Sequence, residues 1–311
     1  MPVIVALVVL LGLSAAVAGS CKGDDADVTE LRTGFESRNG SKWTSPREER
    51  SFLRALDAAS ERVTVSEIGR SVEDRPISLV TVGAPRTRSQ IAAGSSMLFV
   101  CTQHGTEPAG REGCLEAARD AVSDIGSSTL LVIPTANPDG LATGSRENAD
   151  GVDINRDHTE LTTPEARAIA SVMHDYKPDL LGDFHEYKEP GASEVLFSNP
   201  ATLHLDVDAR IKQLSSQLNR YAVPVVDAAR FETGLYPTLT PEADASILRQ
   251  RAALRHSPSL LVETPRRGTL SAVRRVAAHR AAMSAMFKML REQTRKLAGT
   301  TTAARQDAAA E

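Results

Sequence analysis

Four short apolar runs, each breaking off into polar residues, constrain this 311-residue chain more than any other feature. "SMLFVC" runs toward His104 and Glu107, "STLLVIPTA" toward "NPDG", "PDLLG" toward "DFHEY", and "SLLV" toward Glu263. Runs of this length read as buried strands. Between them lie segments of helical character. "PAGREGCLEAARDAVSDI" has Pro108 in its first turn, and "TPEARAIASVMHDY" has Thr163 as cap and Pro164 at its first position. Strands alternating with helices predict a mostly parallel sheet covered on both faces. "VTVSEIG" and "PISLVTVG", joined by "SVEDR", add a hairpin. The expected fold is therefore α/β: a single domain with a mostly parallel mixed β-sheet and helices on both faces.

Residues 44–296 contain no internal repeat and no linker, which favours one domain. Upstream, residues 1–20 carry no charged side chain, and "VIVALVVLLGL" precedes small residues, as in a secretory signal. Cleavage after "AVA", a lipid on Cys21 at the end of "AGSC", or an uncleaved anchor are all compatible with that stretch. Export, with or without a lipid anchor through Cys21, is expected. Residues 21–43 are polar and read as a flexible tether, and 297–311 as a low-complexity, disordered tail. The remaining cysteines, Cys101 and Cys114, could pair in an oxidising compartment, but two buried free thiols are the expectation. A net charge of −4 and 4% aromatic residues give no basis for nucleic-acid binding. A monomer is expected.

In parallel sheets, ligands bind beyond the carboxyl ends of the strands. All four polar clusters fall there. His104, Glu107 and His185 supply two imidazoles and one carboxylate, the donor set of a catalytic zinc with its fourth position left to water. Zinc lowers the pKa of a bound water from about 15.7 to about 7. A separate carboxylate must then take the proton and pass it to a leaving amine, and Glu263 is the candidate.

The motifs "QHGTEPAGREG", "NPDG", "RENADGVDINRD", "TPEARAI", "DFHE" and "LLVET" occur in this order. In that order the chain resembles the zinc carboxypeptidases of the carboxypeptidase A type, a bacterial exported member, over roughly residues 44–290. The resemblance implies one Zn2+ per chain on His104, Glu107 and His185. It implies that Arg146 polarises the scissile carbonyl, that Asn155 and Arg156 hold a terminal carboxylate, and that Glu263 is the catalytic glutamate. An arginine fork suits a carboxylate because it binds bidentately. Tyr236 matches the family's substrate-capping tyrosine. Asp153, two residues before Asn155, matches the aspartate that orients the first histidine ligand. His158 departs from the commoner asparagine-aromatic continuation after "NRD", which leaves the specificity pocket open.

The implied substrate is a peptide with a free C-terminal carboxylate, a cell-wall peptide among the candidates. N-acyl amino acid deacylases of the aspartoacylase and succinylglutamate desuccinylase type share "HG-x-E" and "D-x-NR", and form the alternative. His158, His174, His204, His256 and His279 are expected on the surface or on helices rather than as ligands. Arg111 and Glu112 are expected on a helix surface. Glu186 is expected to point away from the site.

Overall fold

The hairpin opens the sheet and the buried runs form its centre. The computed structural model describes residues 25–188, 193–236, 244–266, 268 and 270–310. The strands are β1 (Val63–Arg70), β2 (Pro76–Val82), β3 (Ser96–Cys101), β4 (Thr129–Ile133), β5 (Leu180–Tyr187), β6 (Val195–Phe197), β7 (Thr233–Leu235) and β8 (Ser259–Pro265). The helices are α1 (Pro46–Ala59), α2 (Arg88–Ala92), α3 (Pro108–Asp124), α4 (Pro138–Thr143), α5 (Pro164–Tyr176), α6 (Ala209–Ala228), α7 (Leu248–Leu254) and α8 (Ala272–Ala310).

The eight strands lie in the order β1-β2-β4-β3-β5-β8-β6-β7. Strands β4, β3, β5 and β8 run parallel, β1 and β2 extend that block antiparallel, and β6 returns antiparallel to β8. Alternation along the central strands splits the core in two. Met97, Phe99 and Cys101 pack with residues of α1, α3, α6 and α8, whereas Leu98 and Val100 pack with α2, α5 and α7. On β5, Phe184 joins the first layer and Leu181 the second. Asp183 and His185 therefore project on the α5 and α7 side.

Local signals set the boundaries. Ser45 caps α1 in a reciprocal box: its hydroxyl accepts from Glu48 N, and Glu48 accepts from Ser45 N at 2.7 Å. Thr163 caps α5 as expected, with Pro164 in the first turn. Beyond that start, Asp157 accepts the N–H and hydroxyl groups of Thr162 and Thr163, which ties "NRD" to the helix.

Several expectations are corrected. Where a tether is expected, residues 25–30 and 36–38 form 3-10 helices, Val28 and Phe35 are buried, and Phe35 stacks on Trp43 at 5.0 Å. The expected tail at 297–310 continues α8, with Leu297, Thr301 and Ala304 buried. Its alanine-rich composition favours helix, and small side chains let the helix lie close to the body. Cys101 and Cys114 form a disulfide rather than two free thiols, because the end of β3 faces the second turn of α3. Arg111 and Glu112 are wholly buried. Glu112 accepts from Thr44 N and Oγ1 at 2.8 and 2.7 Å, and Arg111 pairs with Glu49 and Glu112. The segment before α1 covers this face of α3, which no periodicity in α3 reveals. His158, expected on the surface or on a helix, is buried in a loop, whereas His279 lies on helix α8 as expected.

The expected signal at 1–20 and Cys21 lie outside the described residues. Among the described residues, no helix is long and apolar enough to cross a membrane.

Candidate metal centre

The first two candidate ligands are set by backbone geometry at the end of β3. Cys101 and Thr102 carbonyls accept from Ala136 N and Asn137 N at 3.1 and 2.9 Å. Thr102 then adopts φ 54°, a costly conformation for a β-branched residue, at the point where the chain turns out of the strand. Gly105 follows. A Cβ there would lie 1.9 Å from the Gly140 carbonyl carbon, so only glycine lets "HG" and "NPDG" meet backbone to backbone. Asn137 caps α4 through Gly140 N at 2.8 Å and donates to the carbonyls of Gln103 (3.1 Å) and Arg146 (3.3 Å). One amide thus links the residue before His104 to Arg146. Asp139 accepts Ser71 Oγ (2.7 Å) and Glu73 N (3.0 Å), which fastens the hairpin turn to the same segment.

His104, Glu107 and His185 each offer a donor atom, and these atoms all lie within 4.8 Å of one another. His104 Nδ1 is 2.9 Å from Glu107 Oε1, His185 Nδ1 is 2.9 Å from Glu107 Oε2, and the two Nδ1 atoms are 3.1 Å apart. All three residues are buried. The opposite ring nitrogens meet carboxylates: His104 Nε2 lies 3.1 Å from Asp153 Oδ1, and His185 Nε2 lies 2.8 Å from Asp183 Oδ1. Donor atoms converge on one point while each imidazole is held from behind, the arrangement a zinc site requires. The residues present fit the metal.

The electrostatics agree. Burial would raise the Glu107 carboxyl, yet His104 and His185 hold it well below its ordinary range. Burial opposes charge on His185, but Asp183 and Glu107 raise its pKa well above the usual value. Such a concentration of opposed charge is what a cation exchanging for the ring protons would relieve. Asp153 is held down by His104 and Arg146 against its own burial.

Glu263 stands beside His185, its register partner across β5 and β8. Burial pushes its carboxyl up to about 8, with Glu107 and Asp183 adding to the rise and His185 and Arg146 opposing it. Its Oε2 has no hydrogen-bond partner among the described residues. Arg146 clamps Asp153 Oδ2 with Nε (3.0 Å) and Nη2 (2.8 Å), and its Nη1 lies 3.6 Å from Glu107 Oε1. Asn155 is buried, its oxygen accepting Leu248 N at 2.8 Å and its Nδ2 3.2 Å from His185 Nε2. Arg156 is exposed and donates to the Asn155 carbonyl at 2.7 Å. Tyr236 is half-buried, and its N donates to Phe197 O at 2.8 Å. Burial and then Glu263 raise its phenol, while Arg146 and Arg156 act the other way, so all of these groups share one field. Glu186 points away as expected, accepting Ala109 N at 2.9 Å and pairing with Arg275.

Sequence reasoning missed Asp183 and Gln103 and set His158 aside. The signal for Asp183 was available: in "DFH" it stands two residues before His185 on a strand, hence on the same face. Gln103 and His158 had none, because their contact joins residues 55 apart.

Fold and site together define an α/β protein with a buried His-Glu-His group, able to hold a metal ion, at the carboxyl edge of its sheet. Residues 49–194 match the family model described as zinc carboxypeptidase, so the resemblance carried by the motifs holds. Carboxypeptidase 2 of Trichophyton rubrum is 28% identical over 223 residues, covering 65% of this chain and 41% of the relative. The chain thus spans about two fifths of that relative's length. A metallo-carboxypeptidase from Burkholderia cenocepacia superposes with a TM-score of 0.65 at 21% identity, over 80% of this chain and 69% of the other. The carboxypeptidase A from Helicoverpa armigera gives 0.65 at 17% identity, over 85% and 74%. At such identities these two structures establish the fold.

Proposed function

We propose that this protein is a zinc-dependent metallocarboxypeptidase that removes a C-terminal residue from peptides. The observation that carries the reading is the convergence of His104, Glu107 and His185 within 4.8 Å beside the buried, partly unpartnered Glu263. One zinc per chain would be held by those three residues, and when bound it supplies an acidified water and a polarised carbonyl. Glu263 takes the proton of the attacking water and delivers it to the leaving amine. Its raised pKa suits this role, since a base that must also act as an acid works best near the ambient pH. Arg146 stabilises the developing oxyanion. Arg156, exposed beside the site, binds the terminal carboxylate together with Asn155, and Tyr236 covers the substrate. A cell-wall peptide is one substrate of this class. Export through residues 1–20, with lipid attachment at Cys21 as one form, accords with the Cys101–Cys114 disulfide, since such bonds persist in oxidising compartments.

The test is a panel of free-acid peptides, the same peptides C-terminally amidated, and N-acyl amino acids, each with metal-free and zinc-restored protein. Zinc-dependent release of C-terminal residues from the free acids alone is expected. Cleavage of N-acyl amino acids instead would make the protein a deacylase.

A further inference from the structure

The second histidine of the centre is held by a buried polar chain that reaches well beyond it. His185 turns Nδ1 toward Glu107 and His104, so Nε2 faces the protein interior. Three groups approach Nε2: Asp183 Oδ1 at 2.8 Å, Asn155 Nδ2 at 3.2 Å and Gln103 Nε2 at 3.3 Å. The last two are donors. Asn155 is oriented by Leu248 N on its oxygen, and Gln103 by Asp183 on its nitrogen at 2.7 Å. Asp183 is therefore the acceptor for the Nε2 proton, and this leaves Nδ1 free to bind a metal.

The chain continues through Gln103. With its nitrogen on Asp183, its oxygen must accept, and His158 Nε2 lies 2.7 Å from it. His158 thus carries its proton on Nε2. Its backbone N donates to Ser246 O at 3.0 Å, which anchors the far end. His158, Gln103, Asp183 and His185 are each 2% exposed or less, so no water shell can substitute for these bonds. Burial lowers the pKa of His158 to about 4, so the ring is a neutral donor at physiological pH. The same layer holds a buried guanidinium, Arg249, whose charge the Asp183 carboxylate helps to sustain against burial. Asp183 Oδ2 has no hydrogen-bond partner among the described residues, which leaves Oδ1 to receive both donors.

We infer that Asp183 is a positioning residue that holds His185 in its metal-binding tautomer and orientation, and that Gln103 and His158 fix Asp183 in turn. The inference rests on His104, Glu107 and His185 holding zinc. It assigns a role to His158, whose place after "NRD" is otherwise unexplained.

Zinc titration of the full chain against a competing chelator tests it, with the visible spectrum of the cobalt-substituted protein as a second readout. Asp183→Ala is expected to weaken zinc by about 10–100-fold and to alter the cobalt spectrum. Asp183→Asn retains the shape and an acceptor oxygen without the charge and should fall between wild type and Asp183→Ala. Gln103→Met, which keeps the volume but breaks the chain one step away, should weaken zinc several-fold, and it serves if Asp183→Ala does not fold. Wild type binding zinc one to one, with the Asp183 and Gln103 variants matching its affinity and spectrum, overturns the inference and leaves the metal centre standing. A wild type that binds no zinc overturns both.

Discussion

His185 and Glu263 are register partners on the parallel strands β5 and β8, so the third metal-ligand candidate and the proposed general base project side by side from one face of the sheet. Strand pairing, which needs no loop to hold it, sets the distance between the His185 imidazole and the Glu263 carboxyl.

Glu263→Gln therefore removes a function and leaves a shape. The amide cannot accept a proton, so turnover should fall by about 10²–10⁴, the usual contribution of a general base. Zinc content by elemental analysis should be unchanged. Turnover within a few-fold of wild type would mean that another group takes the proton.

The two arginines should separate kinetically. Arg146, whose Nη1 lies 3.6 Å from Glu107 Oε1, adjoins the proposed metal site. Arg146→Ala should cost about 10²–10³ in kcat. Exposed Arg156 should act on binding, so Arg156→Ala raises KM for free-acid peptides. Comparison with amidated peptides checks the assignment: an equal loss on both would remove Arg156 from carboxylate recognition.

Asp153 couples His104 to Arg146 through its two oxygens, at 3.1 Å on one side and 2.8 Å on the other. Asp153→Ala should weaken zinc by about 10–100-fold while the fold persists. An unaltered dissociation constant against a competing chelator would show that Arg146 is its sole concern.

The Cys101–Cys114 disulfide brackets the loop that carries His104 and Glu107, with a sequence separation of 13. Cross-linking a loop of about this length stabilises by about 3 kcal/mol. The double variant Cys101→Ala, Cys114→Ala should lose that much in urea unfolding, and reductant should destabilise wild type but not the variant. Equal stability with and without reductant would argue for free thiols.

His279 is fully buried against Thr264 at 3.1 Å, and burial lowers its pKa to about 3. Below about pH 6.5 the unfolded chain binds a proton that the folded chain refuses. Stability is therefore complete above that pH and falls as pH drops toward 3. Between pH 7.5 and 5.5 the contribution of His279 falls by about 1.4 kcal/mol, so wild type should lose that much more than His279→Gln. Parallel losses in the two proteins would mean that His279 is protonated in the fold.

The sequence by itself determined the sheet, its carboxyl edge and the three residues, His104, Glu107 and His185, that gather there. Apolar runs such as "SMLFVC" and "STLLVIPTA" cannot be solvated, and each delivers its polar sequel to the same edge. Strand periodicity also put Asp183 and His185 on one face, although only His185 was singled out. The tertiary structure decided what depends on contacts distant in the chain. Thr44 covers Glu112 from 68 residues away, Thr301 reaches Asp179 across 122, and His158 meets Gln103 across 55. Arg111, Glu112 and the last turns of α8 look solvated when read locally, because charged and small residues are at home on a surface. Their burial follows from which segment packs over them, and that is a property of the closed chain rather than of any local pattern.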